Sequence, residues 1–111
     1  MSFALVILEP HGQRAERGQA GGEAAYAAML AFADGLRERG QLVLAQALAT
    51  AQQRHLDGHW TDGPFTEAKE FLGGIFLLQN VTRAEAQAIA TACPAAAWAT
   101  VELRELGPCF T

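Results

Sequence analysis

Asp62 is the residue whose type and setting best suit acid–base chemistry, because it opens the turn segment Asp62-Gly63-Pro64-Phe65. A carboxylate buried beside a sheet has a shifted pKa and can exchange a proton with a bound molecule. The same carboxylate can instead accept hydrogen bonds from backbone N–H groups of the turn that follows it. Both roles stay open, since a carboxylate that holds a turn can also line a pocket.

The histidines do not form a metal-binding pattern. His55 and His59 flank Asp57-Gly58, a strong signal for a two-residue hairpin turn. In that hairpin residue 55 pairs with 60 and residue 56 with 59, so the two histidines face opposite sides. His11, at the end of the first apolar run, is the histidine best placed to approach a cleft. We expect no metal, and the absence of phosphate-loop and nucleophile motifs predicts no cofactor.

Lys69 and Phe65, which follow Asp62 in the same segment, are further candidates for ligand binding. Lys69 is the only lysine and lies between two glutamates. It could bind an anionic group as a compact charge, or form a solvated ion pair with Glu67 or Glu70 that contributes little. Phe65 is expected to be an anchor in the core or in a subunit interface.

Glu102 and Arg104 form the last charged pattern of interest. They alternate with Val101 and Leu103, so the two charged side chains share one face of a strand. They could form a structural ion pair at a sheet surface. Alternatively, Arg104 could hold a carboxylate or phosphate in a cleft.

Apolar patterning predicts the elements that position these residues. Residues 3–8 are a continuous apolar run, typical of a strand buried on both faces. The polar residues 10–22 are expected to form a mobile loop, and residues 23–39 a helix that ends before Gly40. The later elements are strands over residues 42–48, 74–78 and 99–106, a hairpin around Asp57-Gly58, and a helix opened by the Thr82–Glu85 capping box and stopped by Pro94.

This order predicts an α+β, ferredoxin-like βαββαβ fold with an extra β-hairpin and an antiparallel sheet with two helices on one face. Two strands are apolar on both faces, so something must cover the second face of the sheet. A sheet-to-sheet homodimer is the simplest cover. An N-terminal loop that folds over this face is the alternative.

The segment 62–70 reads DGPFTEAKE and is followed by Gly73-Gly74 and an apolar strand. It closely resembles the DGPFAE-x-KE-x-x-GG signature of the YCII-related, or DGPF, family. The resemblance covers most of the chain, including the first strand, the Asp57-Gly58 hairpin and Cys93-Pro94. It implies one YCII-related domain over residues 1–111, with a ferredoxin-like fold of the dimeric α/β-barrel type.

The resemblance also implies two kinds of function. Some relatives are proposed to be enzymes with a histidine–aspartate pair in a cleft, whereas others are fused to, or encoded beside, extracytoplasmic-function sigma factors. The first hypothesis is therefore acid–base chemistry on, or binding of, a small organic molecule in a cleft at the sheet or dimer interface. Its residues are Asp62 and His11 for catalysis, and Lys69, Arg104, Glu102 and Phe65 for ligand binding. The second hypothesis is a non-catalytic regulatory or interaction module in which the motif is structural.

Composition limits the partners and the compartment. Half of the 111 residues are hydrophobic, which excludes a disordered chain. Eight basic against twelve acidic residues give a net charge of −4, so nucleic acid is not an expected partner. No apolar stretch approaches the roughly 20 residues of a membrane span, and there is no signal-peptide pattern. Two widely spaced cysteines indicate reduced thiols, and we expect a cytoplasmic protein.

Overall fold

The computed structural model describes residues 1–65 and 67–111. Thr66, which belongs to the predicted motif, lies outside the described residues. The elements in chain order are β1 (Phe3–Pro10), α1 (Gln13–Glu38), β2 (Leu42–Ala47), β3 (Gln53–Leu56), β4 (His59–Asp62), β5 (Glu70–Leu78), α2 (Arg83–Ala92), a 3-10 turn (Pro94–Ala97) and β6 (Thr100–Glu105).

The main sheet has four antiparallel strands in the order β2-β5-β1-β6, and β3 and β4 form a separate two-stranded sheet. Both helices pack on this antiparallel sheet, an α+β arrangement consistent with the predicted ferredoxin-like fold. The most apolar strands, β1 and β5, pair with each other at the centre. This position follows from their composition, because central strands lose the most contact with water.

The core lies between the sheet and the two helices. Phe3 and Leu5 of β1 are fully buried against Leu36 of α1 and Ala86 of α2. Burial of one such large side chain contributes about 1.5–3 kcal/mol. α2 begins at the predicted capping box, where the Thr82 side chain accepts from the Glu85 backbone and the Glu85 side chain accepts from the Thr82 backbone.

Residues 10–22, predicted to be a loop, are helical from Gln13 onward, so that prediction is wrong. Gly12 has φ of +83° immediately before α1, and Gly18 interrupts the helix with φ of +71° and ψ of 179°. Glycine adopts a positive φ without the steric penalty of other residues. Residues 13–17 therefore form a short helical segment set off from the rest of α1. Side-chain hydrogen bonds hold it, including one from Gln13 to the Trp98 carbonyl at 2.7 Å.

The hairpin of β3 and β4 has the predicted turn and register. Asp57 and Gly58 have φ of +51° and +78°, and His55 lies opposite Trp60. The hairpin residues are exposed. The radius of gyration is 15.2 Å, larger than the about 13 Å expected for a compact chain of this length, because the hairpin projects from the main sheet.

The second face of the main sheet, which we call the open face, is apolar at its centre. Strand register and side-chain alternation place on it the residues Ala4, Val6, Leu8, Leu44, Leu72, Ile75 and Leu77. Leu44 is 43% exposed. The prediction that an N-terminal loop covers this face is wrong, because residues 13–17 pack on the helix side of the sheet.

In the described part of the chain, no helix combines the length and apolar composition needed to cross a membrane.

Candidate functional site

Glu9, near the end of β1, is a charged side chain placed inside the protein. It is 2% exposed and follows Phe3, Leu5 and Ile7 on the helix side of the sheet. Gly73 lies against it at an irregularity in the β1–β5 pairing, and a Cβ at Gly73 would overlap the Glu9 carboxylate. The glycine therefore leaves the space that the carboxylate occupies.

Arg14 holds the Glu9 carboxylate with two hydrogen bonds. Its Nε and Nη2 atoms donate to the two carboxylate oxygens at 2.9 and 2.6 Å. The same guanidinium donates to the carbonyls of Leu48 at 2.7 Å and Gly73 at 3.1 Å. The hydrogen bond to Glu9 raises the pKa of Arg14, so this cation is permanent. Two parallel bonds of this kind fix the direction of both groups.

Arg17 adds a second cation beside the same carboxylate. Its Nη2 lies 4.0 Å from a Glu9 oxygen, and its guanidinium carbon lies 4.7 Å from the centre of the Trp98 ring. Its Nε and Nη1 atoms are buried and donate to no group in the described part of the chain. Arg17 is thus positioned by its attraction to the Glu9 carboxylate and by its contact with the Trp98 ring. Within the residues that the structure describes, its Nε and Nη1 atoms remain free to donate hydrogen bonds to another group.

These polar groups line part of a cleft of about 350 Å³ between α1 and the strands β1, β5 and β2. The size is within the range of small-molecule sites. Its other walls are mainly apolar and include Ile7, Tyr26, Met29, Leu30, Ala33 and Phe76. The cleft lies on the helix side of the sheet, whereas the sequence led us to expect a cleft at a sheet or dimer interface.

Asp62 lies outside this cleft. It is exposed at the end of β4, where its carboxylate accepts a hydrogen bond from the Gln53 side chain at 3.0 Å across the hairpin. The Gly63 amide donates to the Gln52 carbonyl at 2.7 Å instead of to Asp62. Within the described residues, the carboxylate therefore braces the hairpin and does not accept the Gly63 amide of the turn that follows it.

His11 lines a second, smaller cavity of about 140 Å³. This cavity is also lined by Gln52, Pro64 and Phe71, so His11 does approach the predicted motif. Its ring centre is 5.4 Å from that of Phe71, and its Nε2 is buried without a hydrogen-bond partner in the described part of the chain. The structure brings His11 to Pro64, while the Asp62 carboxylate is held on the hairpin.

The remaining motif residues lie on the surface near the hairpin. Lys69 is exposed and forms no ion pair among the described residues. Glu67 instead lies 3.9 Å from Arg54, whose guanidinium also covers the half-buried Phe65 ring at 3.9 Å from its centre. An exposed pair of this kind contributes little to stability.

Glu102 and Arg104 lie on the open face, opposite Val6 and Ala4 of β1. The shared face is as expected, but the predicted ion pair between them is not formed within the described part of the chain. The ion pair of β6 that is formed joins Glu105 to Arg83 of α2 at 2.9 Å. Neither Glu102 nor Arg104 lines the cleft, which is on the other side of the sheet.

The described residues contain no cluster of three or more histidine, cysteine, aspartate or glutamate side chains suited to a metal ion. Cys93 is buried and Cys109 exposed, and neither is in a disulfide. Burial raises the pKa of the Cys93 thiol, which keeps it protonated and a poor nucleophile.

The cleft residues Glu9, Arg14, Arg17 and Trp98 were not predicted. One signal was available: Glu9 continues the inward side of an apolar strand, where a charge needs a partner. Arg14 and Arg17 are three residues apart, which is the spacing of neighbours on a helix face. The composition of residues 10–22 predicts a loop, and a loop assigns no common face to Arg14 and Arg17.

Comparison with known proteins agrees with this architecture. The model of the YCII-related domain family matches residues 3–109. A comparison with curated proteins gives no match. One similar solved structure is the 5-chloro-2-hydroxyhydroquinone dehydrochlorinase from Burkholderia phenoliruptrix AC1100 in complex with 2,5-dihydroxybenzoquinone. It superposes with a TM-score of 0.60 at 15% identity, over 96% of this chain and 94% of that chain, and this likeness shows the fold.

Proposed function

This chain belongs to the YCII-related domain family, and we propose that it binds a small organic molecule in the cleft between α1 and the sheet, or carries out acid–base chemistry on such a molecule. The observation that carries the proposal is that buried Glu9 and the half-buried Arg14 and Arg17 together line a cleft whose other walls are mainly apolar. Charged groups are costly to bury, and a cleft that combines them with apolar walls can orient a ligand. The similar dehydrochlorinase was solved with a small quinone, which is compatible with such a site on this fold.

Binding is assigned to the cleft because its polar groups are rigidly held. Arg14 is fixed by Glu9 and by two backbone carbonyls, and Arg17 lies against Trp98. Side chains whose positions are set by their own neighbours bind with a smaller loss of conformational entropy. The ligand therefore meets a site that is already organised.

Asp62 and His11 remain our candidates for proton transfer, but neither residue lines the cleft, so this step would take place near the second cavity, which His11 and Pro64 line. For His11, the support is its buried Nε2 without a partner in the described residues, next to a cavity shared with Pro64. For Asp62 the support is its position in the family motif, since its carboxylate is exposed. Ligand contacts by Lys69 and Phe65 would occur near the hairpin, where both residues lie.

A homodimer formed through the open face completes the proposal. Its support is the band of apolar side chains on that face, which two subunits would cover by packing sheet against sheet. Glu102 and Arg104 flank this band on β6. A ligand role for these two residues therefore depends on the dimer.

The binding proposal is tested by thermal unfolding with a panel of small organic compounds. A compound at a hundredfold its Kd stabilises the folded state by about 2.7 kcal/mol, which raises the unfolding midpoint by on the order of 10 °C. Ala25 lines the cleft, whereas its exposed neighbour Ala24 does not. We expect Ala25→Trp to abolish the response and Ala24→Trp to keep it.

The proposal fails if no compound stabilises the natural chain, or if Ala25→Trp responds as the natural chain does.

The same measurement with Asp62→Asn tests whether Asp62 takes part in binding or catalysis. A lost response at an unchanged unliganded midpoint would support Asp62 in binding or catalysis, and a full response would remove it from binding.

A non-catalytic interaction module is the second candidate function. It is favoured by the hairpin, where Leu56 and Trp60 are 73% and 70% exposed. Exposed aromatic side chains such as Trp60 are enriched where proteins contact each other. A chain that responds to no compound in the thermal assay would favour this function over the first.

A further inference from the structure

We infer that the ligand of the cleft is a small organic monoanion, whose carboxylate or equivalent planar oxyanion binds Arg17 while its apolar body lies along the cleft. This inference rests on the proposed function and adds the chemical class of the ligand. It depends on three features of the described residues: unused donors, an uncompensated charge and the composition of the walls.

The first feature is the unused hydrogen-bonding capacity of Arg17. Its Nε and Nη1 are buried and have no partner in the described part of the chain. Buried N–H groups without an acceptor are unfavourable, and natural structures contain few of them. The guanidinium is planar with N–H groups along its edges, so the acceptor that fits it best is a planar oxyanion.

The second feature is the charge balance of the site. The charged residues that line the cleft are Glu9, Arg14 and Arg17. Arg14 neutralises Glu9 through two hydrogen bonds, whereas Arg17 is 4.0 Å from the nearest Glu9 oxygen. The three groups together carry one net positive charge. A ligand with one negative charge therefore neutralises the site, whereas a neutral ligand leaves the positive charge of Arg17 without a counter-charge.

The third feature is the aromatic and apolar character of the cleft walls beside Arg17. The Trp98 ring lies under its guanidinium, and the cleft continues along Tyr26, Met29 and Phe76. Such walls favour an apolar or aromatic body over a heavily hydroxylated one. The volume of about 350 Å³ limits this body to a small molecule.

The test compares carboxylates with their uncharged amides by isothermal titration calorimetry at low ionic strength. The probes are benzoate against benzamide, and cyclohexanecarboxylate against cyclohexanecarboxamide. In the natural chain we expect each carboxylate to bind about tenfold or more tightly than its amide, because hydrogen bonds to a charged donor are the stronger ones. Arg17→Gln removes this preference. Arg37→Gln, an exposed arginine of the same helix that pairs with Asp34, keeps it.

Arg17→Lys retains the charge but not the planar donors, and we expect it to restore part of the preference. This variant, together with the natural chain, keeps the test decisive if Arg17→Gln does not fold. Equal affinity for carboxylate and amide, or a preference that survives in Arg17→Gln, overturns the inference.

The outcome also separates this inference from the proposed function. If uncharged compounds bind, Ala25→Trp abolishes their binding and the carboxylates show no advantage, the inference fails and the cleft remains a binding site. If no compound of either charge binds, both fail.

Discussion

A buried carboxylate such as Glu9 is stable in a core only when its charge is paired and its oxygens accept hydrogen bonds. Arg14 meets both needs, and Gly73 provides the space. The pair Gly73-Gly74 of the family motif therefore has a local explanation in this chain. A Cβ at Gly74 would come within 3.1 Å of the Gln46 carbonyl oxygen, so the neighbouring strand also approaches closely.

Gly73→Ala should lower the free energy of unfolding by about 2–4 kcal/mol, because the new methyl group displaces Glu9 and breaks its paired hydrogen bonds. Gly22→Ala is the control, since nothing lies within 4 Å of its added Cβ and alanine favours a helix. Urea unfolding of both variants measures the difference. A Gly73→Ala protein as stable as the Gly22→Ala protein would contradict the role given to Gly73.

At the scale of elements, the two helices are held in different ways. The start of α2 is determined locally by the reciprocal Thr82–Glu85 capping box, which is visible in the sequence. The start of α1 has no side-chain cap, and residues 13–17 are tied to other elements through Gln13 and Arg14. The cleft cations therefore depend on tertiary contacts for their position, and the segment that carries them is bounded by Gly12 and Gly18.

The capping box makes stability depend on pH in a definite direction. Hydrogen bonds from Thr82 lower the pKa of Glu85 in the folded state below its ordinary value. A lowered folded-state pKa contributes stability that is present above the unfolded-state pKa and is lost as the pH falls through the folded value. Glu85→Gln should therefore be less stable than the natural chain at neutral pH, and the difference should shrink on acidification. Urea midpoints between pH 7 and pH 3 measure it.

Glu38→Gln, which changes an exposed glutamate at the end of α1, is the matched control. The role of the cap would be refuted if the stability lost in Glu85→Gln stayed constant from neutral to acidic pH.

At the scale of the whole molecule, the cleft and the open face are on opposite sides of the sheet. Side-chain alternation produces this separation, because successive residues of β1 point to the two sides. Ile7 and Glu9 line the cleft, whereas Val6 and Leu8 belong to the open face. A dimer through the open face would therefore leave the cleft accessible to a ligand from solvent.

Leu44→Glu should weaken the proposed dimer, because it places a charge in the apolar open face at a position that is already 43% exposed in one chain. Light scattering at micromolar concentration should give the mass of two 11.8-kDa chains for the natural protein and of one for the variant. Ala88→Glu, on the exposed side of α2, should leave the mass unchanged. A natural protein with the mass of one chain would refute the dimer.

From the amino-acid sequence alone one can predict the family, the order of most elements, the Asp57-Gly58 hairpin with its register and the cap of α2. These features depend on residues close together in the chain, through side-chain alternation, turn geometry and local hydrogen bonds. Three-dimensional packing was needed to establish the helical start of α1, the exposed position of Asp62 and the assembly of Glu9, Arg14, Arg17 and Trp98. Those features depend on which distant residues meet. Trp98 follows Arg17 by some eighty positions in the printed sequence, so no local pattern could predict that they form one site.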